Sequence, residues 1–91
     1  MAWTIEYADA ALGQLRKLDR AAAQRIYRYL NERVALLEDA KSLGKALSGP
    51  LGELWRYRVG DYRVIAEVKQ NVLTVLVLRV GHRRDVYKRR R

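Results

Sequence analysis

The first 37 residues change from a strand-like to a helix-like pattern of apolar positions. Residues 3–7, Trp-Thr-Ile-Glu-Tyr, alternate apolar and polar side chains, which is typical of a strand. From Asp9 onwards apolar residues recur every three or four positions, which predicts a helix capped by Asp9 and a second capped by Asp19. The predicted apolar faces are Ala11, Leu12, Leu15 and Leu18 in the first helix, and Ile26, Leu30, Val34 and Leu37 in the second.

A loop and a hairpin follow. Residues 43–52 contain three glycines and the only proline, so they are predicted to form a loop. Residues 54–59 and 62–69 alternate apolar and polar positions on either side of Gly60-Asp61, which indicates two antiparallel strands joined by a tight turn.

The last predicted strand, residues 72–80, is apolar on both faces and follows a turn at Gln70-Asn71. Such a strand is expected inside the sheet, and we expect Gly81 to end it. Residues 85–91 form either a short basic helix or a tail. The fold class is therefore α+β, in the order β-α-α-β-β-β, with two N-terminal helices packed on one face of a mostly antiparallel, four-stranded sheet.

Size and composition narrow the functional classes. The chain has 91 residues, no cysteine and one histidine, which predicts one domain over residues 1–91 and excludes disulfides and a thiolate metal site. No cofactor or metal site is expected. No secretion signal and no apolar run long enough to span a bilayer are found, so the expected location is the cytoplasm, without a membrane partner.

The positive charge is concentrated in the second half of the chain. Residues 56–91 contain eleven of the 19 lysines and arginines but only three of the ten acids. The net charge of +9 indicates a polyanionic partner, either a nucleic acid or an acidic protein. The terminal run 88–91 is equally well explained as a disordered basic tail.

Strand alternation predicts where the internal arginines gather. In the hairpin, Trp55, Tyr57 and Val59 point to one side, and the alternate residues point to the other. If the helices cover the apolar side, three arginines emerge together on the uncovered side, and Gly81 brings further polar residues close to them. The expected groove contains Arg56, Arg58, Arg63, His82, Arg83 and Tyr87.

Such a groove fits single-stranded RNA and its cleavage. The 2′-hydroxyl of RNA attacks the neighbouring phosphate, and guanidinium groups stabilise the charge that develops on phosphorus. Arginine stays protonated, so a proton carrier must come from elsewhere, and His82 is the first candidate, followed by Tyr87. Glu67 also alternates onto this side, although pairing with a basic neighbour is its simpler role. The alternative roles are an exposed turn residue for His82, and a base-stacking ring or a packing aromatic for Tyr87.

These residues resemble a known family. The segments Leu54-Trp55-Arg56-Tyr57-Arg58-Val59-Gly60-Asp61-Tyr62-Arg63-Val64-Ile65 and Val80-Gly81-His82-Arg83-Arg84-Asp85-Val86-Tyr87 look like RelE toxins of the RelE/ParE superfamily. The resemblance implies a fold like that of microbial ribonucleases. It also implies cleavage of mRNA in the ribosomal A site and inhibition by a cognate RelB-like antitoxin with an acidic C-terminal segment.

The resemblance also implies roles for individual residues. Arg56 and Arg58 take the place of a basic pair that is lysine in well-known members, which leaves no residue of that pair able to accept a proton. This departure increases the importance of His82. The predicted catalytic residues are Arg63, His82, Arg83 and Tyr87, and the predicted substrate-binding residues are Arg56, Arg58 and Arg84.

Two other functions remain open from the sequence. A ParE-like toxin has the same fold but inhibits DNA gyrase and cleaves nothing. A basic RNA-binding module without activity would also explain a groove that contains arginines but no lysine. An assay of mRNA cleavage on ribosomes beside an assay of gyrase supercoiling separates the three.

Overall fold

The computed structural model describes residues 2–47 and 54–86. Tyr87 and the basic run 88–91 lie outside these described residues. In chain order the elements are β1 (Thr4–Tyr7), α1 (Asp9–Lys17), α2 (Arg20–Tyr29), a π-helical turn (Leu30–Val34), a 3₁₀ turn (Ala40–Leu43), β2 (Lys45–Ala46), β3 (Trp55–Val59), β4 (Tyr62–Lys69), a second 3₁₀ turn (Gln70–Val72) and β5 (Thr74–His82).

The two helices begin where the sequence predicts, with one correction to the capping of α1. Asp19 caps α2 as expected, because its Oδ1 accepts the N–H of Ala22 at 3.3 Å. Asp9 does not cap α1. Ala8 is the capping residue, and Asp9 is the first helical residue, where a carboxylate is stabilised by the positive end of the helix dipole.

The apolar stripe of the second helix continues through a change of helix type. After α2 the chain widens into the π turn, in which the N–H of Ala35 donates to the carbonyl of Leu30 at 2.9 Å, five residues back. Ile26, Leu30 and Val34 are fully buried, whereas Leu37 lies beyond the helical residues and is half-buried. Among the described residues, no helix has both the length and the apolar character needed to cross a membrane.

In the part of the chain that the structure describes, the sheet has five strands in the order β1-β5-β4-β3-β2. β1 is parallel to β5, and every other neighbouring pair is antiparallel. The α+β class is confirmed, and β5 lies inside the sheet as its two apolar faces predict. The four-strand count is wrong, because Lys45 and Ala46, inside the predicted loop, pair with Arg56 and Trp55 as an additional edge strand.

The bounds of β5 differ from the predicted range of 72–80. The strand begins only after Leu73, whose φ of 48° lies in the left-handed region and cannot continue a strand. At its other end the strand does not stop at Gly81. It continues to His82, which pairs with Tyr62.

The hydrophobic core lies between the helices and one side of the sheet, which we call the helix-covered face. The predicted alternation in the hairpin is confirmed, because Tyr57 and Val64 are fully buried on this face while Arg58 is exposed. The opposite side is called the open face below. The fully or nearly fully buried sheet residues of the core are Tyr57, Val59, Val64, Ala66, Val75, Val77 and Val80.

Candidate functional site

Basic residues of four neighbouring strands share the open face. Residues that pair directly in an antiparallel sheet point to the same side, with Cα atoms about 4.5–5.5 Å apart. Arg58 pairs with Arg63, so two arginines are adjacent across β3 and β4. The next row across the sheet contains Lys45, Arg56, Ile65 and Arg79. We call the five basic residues Lys45, Arg56, Arg58, Arg63 and Arg79 the open-face cluster.

Sequence reasoning misses two members of the open-face cluster. Arg79 has a detectable signal, because it is the only charged residue in the run 72–80, which is apolar apart from Thr74. It pairs with Ile65 on the open face. Lys45 has none, since it lies in a glycine-containing segment in which no strand is predicted. Its place beside Arg56 follows only from the pairing of β2 with β3.

Arg63 is placed on the expected side but is not an exposed guanidinium. Only 7% of the residue is accessible to solvent. Its Nη1 donates to the carbonyls of Gly60 and Tyr62, both at 2.9 Å. Arg63 therefore holds the turn between β3 and β4, and it contributes positive charge beneath the surface while Arg58 reaches solvent.

The segment after β5 folds back onto the open face. The N–H of Arg83 donates to the carbonyl of Asp61 at 2.8 Å, which joins this segment to the hairpin turn. Val86 is buried against Gly81, whose missing Cβ would be 3.5 Å from the Cβ of Val86. The Nη1 of Arg79 donates to the carbonyl of Val86 at 3.2 Å. Arg83 thus lies beside the turn that Arg63 holds, and its side chain and that of Arg84 are exposed.

His82 is not placed beside Arg58 and Arg63 as expected, although it shares a cleft with Arg79. It pairs with Tyr62, and the two rings meet edge to face with centroids 6.1 Å apart on the helix-covered face. It lines a cleft of about 440 Å³ together with Gln14 and Lys17 of α1 and with Arg79 of the open-face cluster. The physical reason is that β5 continues through Gly81, so one more step of alternation directs His82 away from the open face.

A hydrogen bond fixes the orientation of His82. Its Nδ1 accepts the N–H of Arg84 at 3.3 Å, so the imidazole helps to shape the turn that carries the exposed arginines. The open face itself contains one carboxylate in β4, that of Glu67, which is exposed and pairs with Leu76. Within residues 2–47 and 54–86, no three acidic or histidine side chains gather as metal ligands.

The open face can therefore bind and neutralise anions. The two rows of basic residues lie about 7 Å apart along the strands, which is the distance between successive side chains on the same side of a sheet. Guanidinium groups donate paired hydrogen bonds to phosphate or carboxylate oxygens, and each such charge-assisted bond is stronger than a neutral one. An extended polyanion on this face would meet the exposed Lys45 and Arg58 and the half-buried Arg56 and Arg79. The buried Arg63 would attract it only from beneath the surface.

Comparisons with known proteins agree with this architecture. The profile of a family described as the ParE toxin of type II toxin–antitoxin systems, parDE, matches residues 5–87. Toxin RelG of Mycobacterium tuberculosis (strain H37Rv) is 28% identical over 89 residues, which cover 98% of this chain and 100% of that protein.

Solved structures share the fold. A chain of the toxin–antitoxin complex RelBE2 from Mycobacterium tuberculosis matches with a TM-score of 0.84 and 25% identity, covering 93% of this chain and 95% of that one. The isolated RelE toxin of E. coli matches with a TM-score of 0.69 and 20% identity, covering 89% and 84%. Because the family profile extends over almost the whole chain and the fold agrees, this protein belongs to the ParE toxin family of type II toxin–antitoxin systems, within the RelE/ParE superfamily.

Proposed function

We propose that this toxin is a metal-independent endoribonuclease that cleaves mRNA in the A site of the ribosome and so inhibits translation in the cytoplasm. The observation that carries the proposal is the open-face cluster, in which basic residues of four strands occupy one side of the sheet. Guanidinium groups bind phosphate oxygens in a bidentate geometry, so this surface fits the backbone of a single RNA strand.

The proposed reaction uses the RNA itself as nucleophile. The 2′-oxygen forms a bond to phosphorus and gives up its proton, while the bond from phosphorus to the 5′-oxygen breaks and that oxygen takes up a proton. The products are a 2′,3′-cyclic phosphate and a 5′-hydroxyl. In this scheme Arg56, Arg58 and Arg84 bind the RNA backbone, and Arg83 stabilises the charge on the pentacoordinate phosphorus.

The remaining predicted catalytic residues receive different roles. Arg63 acts through the hairpin turn, because its Nη1 already donates to two carbonyls there. The ring of His82 packs against Tyr62 on the helix-covered face. The proposal therefore gives His82 the role of shaping the following turn and not that of transferring a proton. Proton transfer is left to Tyr87, which follows Val86 in the chain, and to the exposed carboxylate of Glu67.

The proposed inhibitor is a RelB-like antitoxin with an acidic C-terminal segment. A chain with a net charge of +9 is neutralised efficiently by an acidic partner, which would also compete with mRNA for the open face. The RelBE2 structure, which shares the fold, is a complex of a toxin with its antitoxin.

Mapping of mRNA ends on translating ribosomes tests the nuclease proposal. The purified chain should produce new ends at A-site codons, and Arg83→Ala should lower the cleavage rate roughly 100-fold or more, as the loss of one transition-state donor does elsewhere. Arg16→Ala is the matched control, because Arg16 is an exposed arginine of α1 and carries the same charge. It should retain cleavage within about twofold.

Inhibition of DNA gyrase is the second candidate, since the matching family profile carries the ParE name. A supercoiling assay with the same protein preparations separates the two functions. Loss of supercoiling with intact mRNA would replace the nuclease proposal by gyrase inhibition. Ends produced on free RNA without ribosomes would contradict the ribosome-dependent reaction.

A further inference from the structure

Arg79 reaches from β5 to the chain that follows this strand, residues 83–86, which we call the C-terminal segment. The side chain of Arg79 is half-buried on the open face. Its Nη1 donates to the carbonyl of Val86 at 3.2 Å. A hydrogen bond from a guanidinium is charge-assisted and therefore stronger than one between two neutral groups. At least one donor of Arg79 is thus committed to a bond within the protein.

Gly81 provides the space in which the C-terminal segment crosses the open face. Gly81 pairs with Arg63, so a side chain at position 81 would point to the open face, two residues from Arg79 along the same strand. Val86 is buried over this position, because a Cβ on Gly81 would be 3.5 Å from the Cβ of Val86. Val86 therefore packs against the bare backbone of Gly81, and Arg79 binds its carbonyl from the neighbouring position.

The C-terminal segment leads to both groups that the proposed reaction places at its reacting centre. It begins with Arg83, whose N–H donates to the carbonyl of Asp61 at 2.8 Å. It ends with Val86, which directly precedes Tyr87 in the chain. A cleft of about 440 Å³ lies between the end of this segment and α1. The bond from Arg79 therefore anchors the segment to the sheet at the end from which Tyr87 continues.

We propose that Arg79 is a positioning residue, which fixes the C-terminal segment so that Arg83 and Tyr87 meet the scissile phosphate of RNA together. This role rests on the nuclease function proposed above. Arg79 acts through the carbonyl of Val86 and does not touch the reacting atoms. Since a displacement of about 1 Å in a reacting group can lower a rate roughly 100-fold, loss of this bond acts on the chemical step more than on RNA binding.

Direct contact with a phosphate of the RNA is the alternative role for Arg79. The half-buried guanidinium fits this role less well than that of Arg58, which is exposed, because Arg79 already donates to Val86. The two roles differ in their kinetics. Loss of a contact that is equally strong in the ground state and the transition state weakens binding, whereas loss of positioning lowers the rate at saturation.

Single-turnover cleavage of mRNA on ribosomes, with the toxin in excess, separates the two roles. We expect Arg79→Met to lower the rate at saturating toxin roughly 30-fold or more. The toxin concentration that gives half of the maximal rate, and the Kd for a 2′-O-methyl RNA that cannot be cleaved, should each change less than about threefold. Arg16→Met removes an exposed arginine of α1 and is the matched control, which should keep all three quantities within about twofold.

Substitutions at Gly81 displace the C-terminal segment without changing the charge of the protein. Gly81→Ala puts a methyl group at an ordinary contact distance from Val86, so the rate at saturation should stay within about threefold of the wild-type rate. Gly81→Val needs space that Val86 occupies. It should lower the rate at saturation about as much as Arg79→Met does.

Hydrogen exchange in ¹⁵N-labelled protein measures the anchoring of the segment without any cleavage. The amide of Val86 donates to the carbonyl of His82 at 3.0 Å. This amide should exchange at least about tenfold faster in Arg79→Met and in Gly81→Val than in the wild-type chain. The amide of Val75, a fully buried residue of β5 that pairs with Ile5, should exchange at an unchanged rate if the rest of the fold is intact.

Three results would overturn the proposal. Unchanged exchange at Val86 in Arg79→Met would mean that this bond does not hold the segment. Faster exchange at Val86 with an unchanged rate at saturation would mean that the reaction does not depend on the position of the segment. A weaker Kd for RNA with an unchanged rate at saturation would assign Arg79 to a phosphate. Absence of cleavage by the wild-type chain would instead contradict the nuclease function, and exchange at Val86 would still decide whether Arg79 holds the segment.

Discussion

Among residues 2–47 and 54–86, Tyr57 is the largest fully buried side chain, and it carries a polar group into the core. Its hydroxyl donates to the carbonyl of Ala40 at 2.6 Å, which joins β3 to the 3₁₀ turn of residues 40–43. Burial raises the pKa of Tyr57 well above its ordinary value of 10.0, and the neighbouring Tyr29 and Asp39 act in the same direction. The folded chain therefore keeps this phenol protonated when an unfolded chain would lose the proton.

Replacement of this hydroxyl is expected to destabilise the fold in a pH-dependent way. Tyr57→Phe leaves the buried carbonyl of Ala40 without its donor and should lower the free energy of unfolding by about 1–2 kcal/mol at pH 8. The wild-type chain should lose stability above about pH 10, because the unfolded tyrosine then ionises, by about 1.4 kcal/mol per pH unit. Urea unfolding at several pH values should show the difference between the two proteins shrinking as the pH rises. A difference that stays constant up to pH 11 would contradict the buried, protonated phenol.

At the residue scale, the positions of some side chains could be predicted from the sequence and those of others could not. The sides taken by Arg56 and Tyr57 follow from strand alternation alone, so they were predictable. The burial of Arg63 was not, because its partners are backbone carbonyls whose positions depend on the turn at residues 60–61. The side taken by His82 depends on whether β5 ends at Gly81, and glycine occurs both within strands and after them.

At the scale of elements, the two-residue strand β2 depends on a close approach that only glycine permits. A Cβ on Gly44 would collide with the indole ring of Trp55 and with the carbonyl of Arg56. The φ of Gly44, −117°, is available to any residue, so the constraint is one of space and not of backbone conformation. β2 matters for the site because it places Lys45 beside Arg56 in the open-face cluster.

Gly44→Ala is therefore expected to separate β2 from β3. The added methyl group should lower the free energy of unfolding by about 1–3 kcal/mol, as other overpacked sites do. The backbone amide of Arg56, which faces β2, should also exchange its hydrogen faster. Gly13→Ala is a matched control, because a Cβ at Gly13 has no atom within 4 Å and alanine favours the interior of α1. Equal effects of the two substitutions on the Arg56 amide would show that β2 does not need the glycine.

The elements that the sequence could not predict are short or irregular. Nothing in the Gly-containing segment around Lys45 alternates over more than two residues, so β2 has no periodic signal. The π turn after α2 keeps the buried stripe of Ile26, Leu30 and Val34 in place, and a stripe of that spacing is equally compatible with a continuous α-helix. The two helices and the three long strands, by contrast, each have enough periods to be recognised.

At the scale of the whole molecule, two cationic surfaces meet at the outer edge of β3. The open-face cluster lies on one side of the sheet, and a groove that contains Arg25, Arg28 and Arg33 lies beside the second helix. Arg58 belongs to both surfaces. Most of the net charge of +9 arises from the second half of the chain, which supplies four of the five basic residues of the open-face cluster.

Salt dependence distinguishes a defined RNA site on the open face from attraction by the net charge alone. If about three to five phosphates contact the cluster, a plot of the logarithm of the binding constant against the logarithm of the NaCl concentration should have a slope of about −2 to −3.5. The probe is a labelled RNA of about ten nucleotides with 2′-O-methyl groups, which cannot be cleaved. Arg56→Gln with Arg58→Gln removes two phosphate contacts and should flatten the slope by about 1.4. Arg16→Gln with Arg20→Gln removes the same charge from the helices and should leave the slope unchanged. Equal flattening by both pairs would mean that RNA senses only the total charge of the molecule, and the open-face cluster would then lose its place in the proposed mechanism.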